Sequence, residues 1–171
     1  MVDVKDVPFY VLKRQRSYIM ALFERIVLKD TVEINTTPEE IWEFWANMDK
    51  NYKAWHPEDH ILFRWTKGKP MEEGSTIYAE EVVGGKLLKG KVTCVDVVPN
   101  RKFALKLPLP RSLFCKYEYL IDPRGTKAAF TAITHLKYPG FARKRIQSVI
   151  EVGKKHLREE GENLKKILEQ S

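Results

Sequence analysis

The chain has 171 residues, 43% of them apolar and 31% charged, with a formal net charge of +7. That length allows one domain with a proper core, and the composition is that of an ordinary globular protein rather than a disordered or fibrous one. No run approaches 18 uninterrupted apolar residues, so no transmembrane segment is expected.

Met1-Val-Asp-Val-Lys-Asp lacks the basic-then-apolar order of a secretory signal. The two cysteines, Cys94 and Cys115, match no metal or redox spacing. A reduced, cytoplasmic setting is the expectation. Basic residues gather at Lys13, Arg14 and Arg16, and again at Arg143, Lys144, Arg145, Lys154, Lys155 and Arg158. Such a surface attracts nucleic acid or anionic membrane. No zinc finger, RNA-binding signature or phosphate loop accompanies it, and Glu151, Glu159 and Glu162 interleave with it. It reads as a solvated helix face, with no nucleic-acid partner.

Residues 1–30 read as an N-terminal amphipathic helical extension. The spacing of Val11, Tyr18, Ile19, Leu22, Phe23, Ile26 and Val27 predicts a helix over 8–29 that packs on its own domain or invites a homodimer. A second unit, 31–171, opens with the alternating strand Thr31-Val-Glu-Ile-Asn. Thr37, Pro38 and Glu40 then form a helix start: a cap, a proline at the first helical position and a capping box. Ile41, Trp42, Phe44 and Trp45 make that helix short and aromatic, and a second helical turn follows over 49–55.

Strands are predicted at His60–Trp65, Ser75–Val83, Leu87–Val98, Lys102–Leu107, Leu113–Ile121 and Lys127–Leu136, separated by turn signals such as Gly84-Gly85. From Phe141 to Gln170 one long helix carries a stripe of Ile146, Ile150, Gly153, Leu157, Leu164 and Ile167. That stripe needs a concave apolar partner. The economical arrangement is α+β, a single curved antiparallel sheet wrapped around the final helix, with a cavity between them.

Glu160 stands inside the stripe where the spacing asks for an apolar residue, and His156 lies one turn earlier on the same face. A buried carboxylate without a partner is costly, so Glu160 requires water, a cation or a metal. The plainer alternative places Glu160 at the rim and His156 in solvent. The run Tyr52-Lys-Ala-Trp-His56-Pro-Glu-Asp-His60 packs two histidines, two carboxylates and two aromatics into nine residues. His60, at a strand start, can point inward, while His56 is held extended by Pro57. Alternation along Ile77–Val83 puts Glu81 on the small apolar face and Glu80 in solvent, provided no bulge intervenes. Two imidazoles and two carboxylates suit Zn2+, and also Mn2+, Fe2+ or Ni2+.

The element order, with Pro38 opening an early helix, resembles the helix-grip superfamily of START and Bet v 1-like domains over residues 31–170. That likeness implies a ligand cavity. A narrower resemblance rests on Tyr52-x-x-Trp55-x-Pro57-x-x-His60, a carboxylate shortly before Gly84-Gly85, and His156-x-x-x-Glu160. These motifs resemble the 2,4-diacetylphloroglucinol hydrolase family, relatives of phloretin hydrolase. Those are Bet v 1-like zinc proteins that hydrolyse the carbon–carbon bond between an acyl group and a phenolic ring.

The resemblance implies His60, Glu81, His156 and Glu160 as zinc ligands and Tyr52 as a substrate hydrogen-bond donor. The chain is much shorter than those hydrolases, and Phe63 stands where a polar substrate contact belongs. The expected substrate contacts are therefore Tyr52, Phe63 and Tyr78, and the expected catalytic groups Tyr52 and His56. Cleavage also needs a general acid for the departing ring carbon, for which His56, Asp59, Tyr78, Tyr117, Tyr119 and His135 are candidates. The expected function is a zinc-dependent hydrolase of a small acyl-phenolic or β-dicarbonyl compound. The alternative is a non-enzymatic carrier of a small hydrophobic ligand.

Overall fold

A computed structural model of the chain describes residues 23–108 and 115–170. Its elements are β1 (Phe23–Ile34), α1 (Pro38–Ala46), α2 (Met48–Trp55), β2 (His60–Lys67), β3 (Thr76–Val83), β4 (Lys86–Val98), β5 (Lys102–Lys106), β6 (Cys115–Arg124) and β7 (Lys127–Pro139). A single 3-10 turn (Gly140–Ala142) then leads into α3 (Arg143–Glu169). The strands form one seven-stranded antiparallel sheet in the order β1-β7-β6-β5-β4-β3-β2. Six of them run as a meander, and β1 closes onto the last strand. Among the described residues no helix is long and apolar enough to cross a membrane.

The capping signals in the sequence are realised at α1. Thr37 Oγ1 accepts from the Glu40 amide at 3.2 Å, and the Glu40 carboxylate accepts from the Thr37 amide at 2.9 Å. The helix buries Ile41, Phe44 and Trp45. Trp45 packs against Phe103 and Tyr119 with ring centroids 4.7 and 4.6 Å away, which seats the helix pair on one end of the sheet.

The long helix α3 crosses the concave side of the sheet, burying Ile150, Leu157, Leu164 and the carboxylate-bearing Glu160. Two glycines allow close approach to β1. A Cβ on Gly153 would lie 2.7 Å from Leu28 Cδ1, and one on Gly161 would meet Asp30 and Val32 at 3.3–3.4 Å.

The helix predicted over 8–29 is corrected at its C-terminal end. Residues 8–22 lie outside the described residues, but 23–29 are the first half of β1, paired in register from Phe23↔Pro139 to Ile34↔Ala128. The spacing of Phe23, Ile26 and Val27 is helical, and cross-strand pairing with β7 overrides it. Leu28, Val32 and Ile34 point inward with strand alternation, whereas Val27 is 58% exposed. Residues 23–30 thus belong to the sheet rather than to a preceding helical extension.

Candidate metal centre

The first histidine cluster forms because the α2–β2 junction is a tight turn. The amides of Asp59 and His60 both donate to the His56 carbonyl, at 3.2 and 2.8 Å, and the Val82 amide donates to the Asp59 carbonyl at 2.8 Å. His60 then enters β2 directly opposite Glu81 of β3. The next pair is Leu62↔Glu80, so Ile61 and Leu62 share one partner in a bulge. Without that extra residue, His60 and Phe63 would face opposite sides of the sheet. With it both are buried, and Ile61 and Leu62 are exposed.

His60 is held on three sides. Its ring stacks on Tyr52 with centroids 3.9 Å apart and planes 1° from parallel. Its Nδ1 lies 3.0 Å from the Tyr52 carbonyl, an acceptor, so Nδ1 carries the proton and the lone pair of neutral His60 sits on Nε2. That Nε2 is fully buried and has no hydrogen-bond partner. It faces Glu160 Oε1 at 3.3 Å and Glu81 Oε2 at 3.9 Å. His156 Nε2 approaches the same Glu160 oxygen at 3.5 Å. Ligand atoms of His60, Glu81 and His156 all lie within 4.8 Å of one another. The structure thus gathers His60, Glu81 and His156, and Glu160 Oε1 approaches both imidazoles.

Tyr52 donates its hydroxyl at 3.1 Å to Glu81 Oε2, the oxygen that faces His60, and Trp55 Nε1 donates to the Glu160 main-chain carbonyl at 2.9 Å. An orphaned buried imidazole nitrogen facing two carboxylates is costly alone and is satisfied by a divalent cation, so the residues fit zinc. The charges are strongly coupled in the metal-free protein. Burial pushes the Glu160 carboxyl up, but His156 and His60 outweigh it and hold it at about 2. Burial pushes His156 down, and Glu160, Glu81 and Asp59 overcome that to raise it to about 9. Glu81 is raised, first by burial and then by the charge of Glu160.

The centre forms the floor of a cavity of about 510 Å3 between α3 and the sheet. Its walls are largely apolar, with Trp45, Phe63, Leu105 and Leu157 among them, and polar groups come from Tyr117, Tyr119 and Thr134. Both tyrosines are held well above the usual phenol range, chiefly by burial and then by neighbouring acidic groups, so they are hydrogen-bond donors.

Two expected substrate-facing residues stand elsewhere. Tyr78 is on the outer face of β3, its hydroxyl donating to Glu80 at 2.5 Å and its ring lying 5.2 Å under the Arg64 guanidinium. Strand parity puts Tyr78 with Glu80, opposite Glu81. His56 is buried behind His156 and does not line the cavity. His135 pairs with Glu118 at 3.1 Å, also away from the cavity. Phe63 lines the cavity and packs against Tyr52 at 5.3 Å between centroids. Tyr52 lines it too, with its hydroxyl committed to Glu81. Of the general-acid candidates, Tyr117 and Tyr119 line the cavity, as the alternation of Cys115, Tyr117, Tyr119 and Ile121 along β6 allows. His56 and Asp59 stand in the histidine-rich run of the sequence, but their meeting with His156 has no signal in local spacing.

No family model matches the chain, and no curated protein is recognisably similar to it in sequence. Solved structures are similar in fold. Truncated norcoclaurine synthase from Thalictrum flavum overlaps 87% of this chain and 96% of its own, at 14% identity and a TM-score of 0.65. The polyketide-cyclase-like protein Cgl2372 from Corynebacterium glutamicum overlaps 85% and 93%, at 13% identity and a TM-score of 0.60. The ginseng major latex-like protein 151 from Panax ginseng overlaps 80% and 98%, at 14% identity and a TM-score of 0.56. The architecture is the helix-grip fold of START/Bet v 1-like proteins.

Proposed function

We propose that the chain is a zinc-dependent hydrolase that cleaves the carbon–carbon bond between an acyl group and a phenolic or β-dicarbonyl carbon. The observation that carries this reading is the fully buried His60 Nε2, unpartnered and aimed at Glu160 and Glu81 beside His156. His60, Glu81, His156 and Glu160 would hold the ion. Zinc bound there supplies Lewis-acid polarisation of a carbonyl and a lowered pKa for water.

The remaining work belongs to the chain. Tyr52 fixes Glu81 through its hydroxyl and His60 through its carbonyl and ring face. The apolar walls exclude bulk water and fit a flat aromatic ring. Tyr117 and Tyr119, kept protonated, donate to the substrate's phenolic or enolic oxygens and stabilise the electron pair left on the ring as the acyl group departs. One of them also delivers the proton that the departing carbon takes up. The fold is shared with proteins of varied chemistry and carries no part of this reading.

The test joins metal content to turnover. Protein purified without added metal should contain zinc at about one equivalent or more, and release an acid plus a deacylated ring from an acylphloroglucinol. Glu160→Gln should lose both the turnover and an equivalent of zinc. Metal-free protein that still binds apolar dyes would instead leave a hydrophobic ligand carrier, a reading favoured by the apolar walls and by Phe63 beside Tyr52.

A further inference from the structure

His156 presents its two ring nitrogens to different neighbours. Nε2 faces Glu160, as described, while Nδ1 lies 3.3 Å from Asp59 Oδ2. That Nδ1 is buried and makes no hydrogen bond, so its approach to Asp59 is not along an N–H direction. Behind it stands His56, 7% exposed, with neither ring nitrogen hydrogen-bonded. Its Nδ1 lies 3.9 Å from the same Asp59 oxygen, and its Nε2 lies 3.7 Å from Glu159 Oε2. The His56 and His156 rings are 5.1 Å apart between centroids. One ligand atom from each of His56, Asp59 and His156 falls within 4.8 Å of the other two.

We propose that His56, Asp59 and the Nδ1 edge of His156 form a second site for a divalent transition cation, back to back with the first. A buried imidazole with both nitrogens unpartnered is unfavourable in the metal-free chain, and a cation removes that cost. Two imidazole nitrogens and one carboxylate select the zinc, cobalt, nickel and copper group over magnesium or calcium, which take oxygen donors. Glu159 stands close enough to balance the charge. When both sites are filled, His156 bridges them through its two nitrogens and releases both of its ring protons to solvent. The second ion ties the α2–β2 turn to the middle of α3. The site shares His156 with the first centre and does not depend on that centre being a hydrolase.

The experiment is a count of bound ions. The full chain, stripped with a chelator and checked for native circular dichroism, is titrated with Zn2+ against a chromophoric competitor, and in parallel with Co2+ to read the d–d spectrum. Wild type should bind two ions per chain. His56→Ala and Asp59→Ala should each bind one, with one set of cobalt bands missing. If His56→Ala fails to fold, the half-exposed position makes Asp59→Ala decisive.

A single ion in wild type, lost in His60→Ala and Glu160→Gln but kept in Asp59→Ala and His56→Ala, overturns the second site. Absence of any bound ion does so as well. A single ion lost in Asp59→Ala but kept in Glu160→Gln retains this site and removes the first, so the two proposals fail separately.

Discussion

At the scale of single residues, the proposed zinc would compete with protons for the same lone pairs. In the metal-free protein His156 is raised to about 9 from an ordinary 6.5, so its stabilising charge is fully present below pH 6.5 and is lost as pH rises through 9. Glu160 is lowered to about 2 from 4.5, so its contribution is present above pH 4.5 and is lost as pH falls through 2. Metal-free protein should therefore be most stable between about pH 4.5 and 6.5. Zinc requires His156 without that proton, and the opposite slope follows for the bound form. Thermal melts from pH 6 to 9 should show Tm falling with chelator present, while the rise in Tm on adding zinc grows. Tyr52→Phe removes the donor to Glu81 but keeps the ring stacked on His60. It should weaken zinc roughly tenfold in a competition titration and cost about 1 kcal/mol in chemical denaturation.

At the scale of elements, the bulge in β2 and the hairpin after β3 set the aim of the ligands. Ile61 and Leu62 together oppose Glu80, and this one-residue slip turns His60 to the side already occupied by Phe63. Glu81 keeps its inward direction because β3 pairs with β4 without a break, from Thr76↔Thr93 to Val83↔Lys86. The hairpin between them has Gly84 at φ +58 and Gly85 at φ +75, the pair of left-handed residues that a tight primed turn requires. Gly84 also lies against α3, since a Cβ there would come within 2.9 Å of Val152 Cγ1. Gly84→Ala should lower unfolding free energy by about 1–2 kcal/mol for the backbone alone. Its contact with Val152, a cavity-wall residue one turn from His156, should also loosen zinc. Denaturant melts with and without metal separate the two effects: an equal loss in both states would confine the damage to the turn.

At the scale of the whole molecule, the sheet and α3 enclose a space of about 510 Å3 with the ligand cluster on its floor. Leu88 and Val149 line that space and are 44% and 47% exposed, so they stand where it opens to solvent. Val149→Trp should narrow the opening, slowing uptake of an environment-sensitive apolar dye by tenfold or more in stopped-flow mixing while leaving zinc content unchanged. Unaltered dye kinetics would place the entrance elsewhere along the helix.

Much of this architecture could be read from local chemistry. The capping box at Thr37, the turn at Gly84-Gly85, the meander of strands and the apolar stripe of α3 each follow from short-range propensity and period, which depend on near neighbours in the chain. The same stripe, by failing at Glu160, marked the helix face that carries the candidate ligands. Only the tertiary structure decided the rest. Residues 23–29 carry a helical spacing and become a strand because β7 offers them a partner. His60 faces inward through a bulge defined by its pairing across to β3, and Asp59 meets His156 nearly a hundred positions away. Register and long-range encounters of that kind depend on which backbone lies opposite, a quantity no local window of sequence contains.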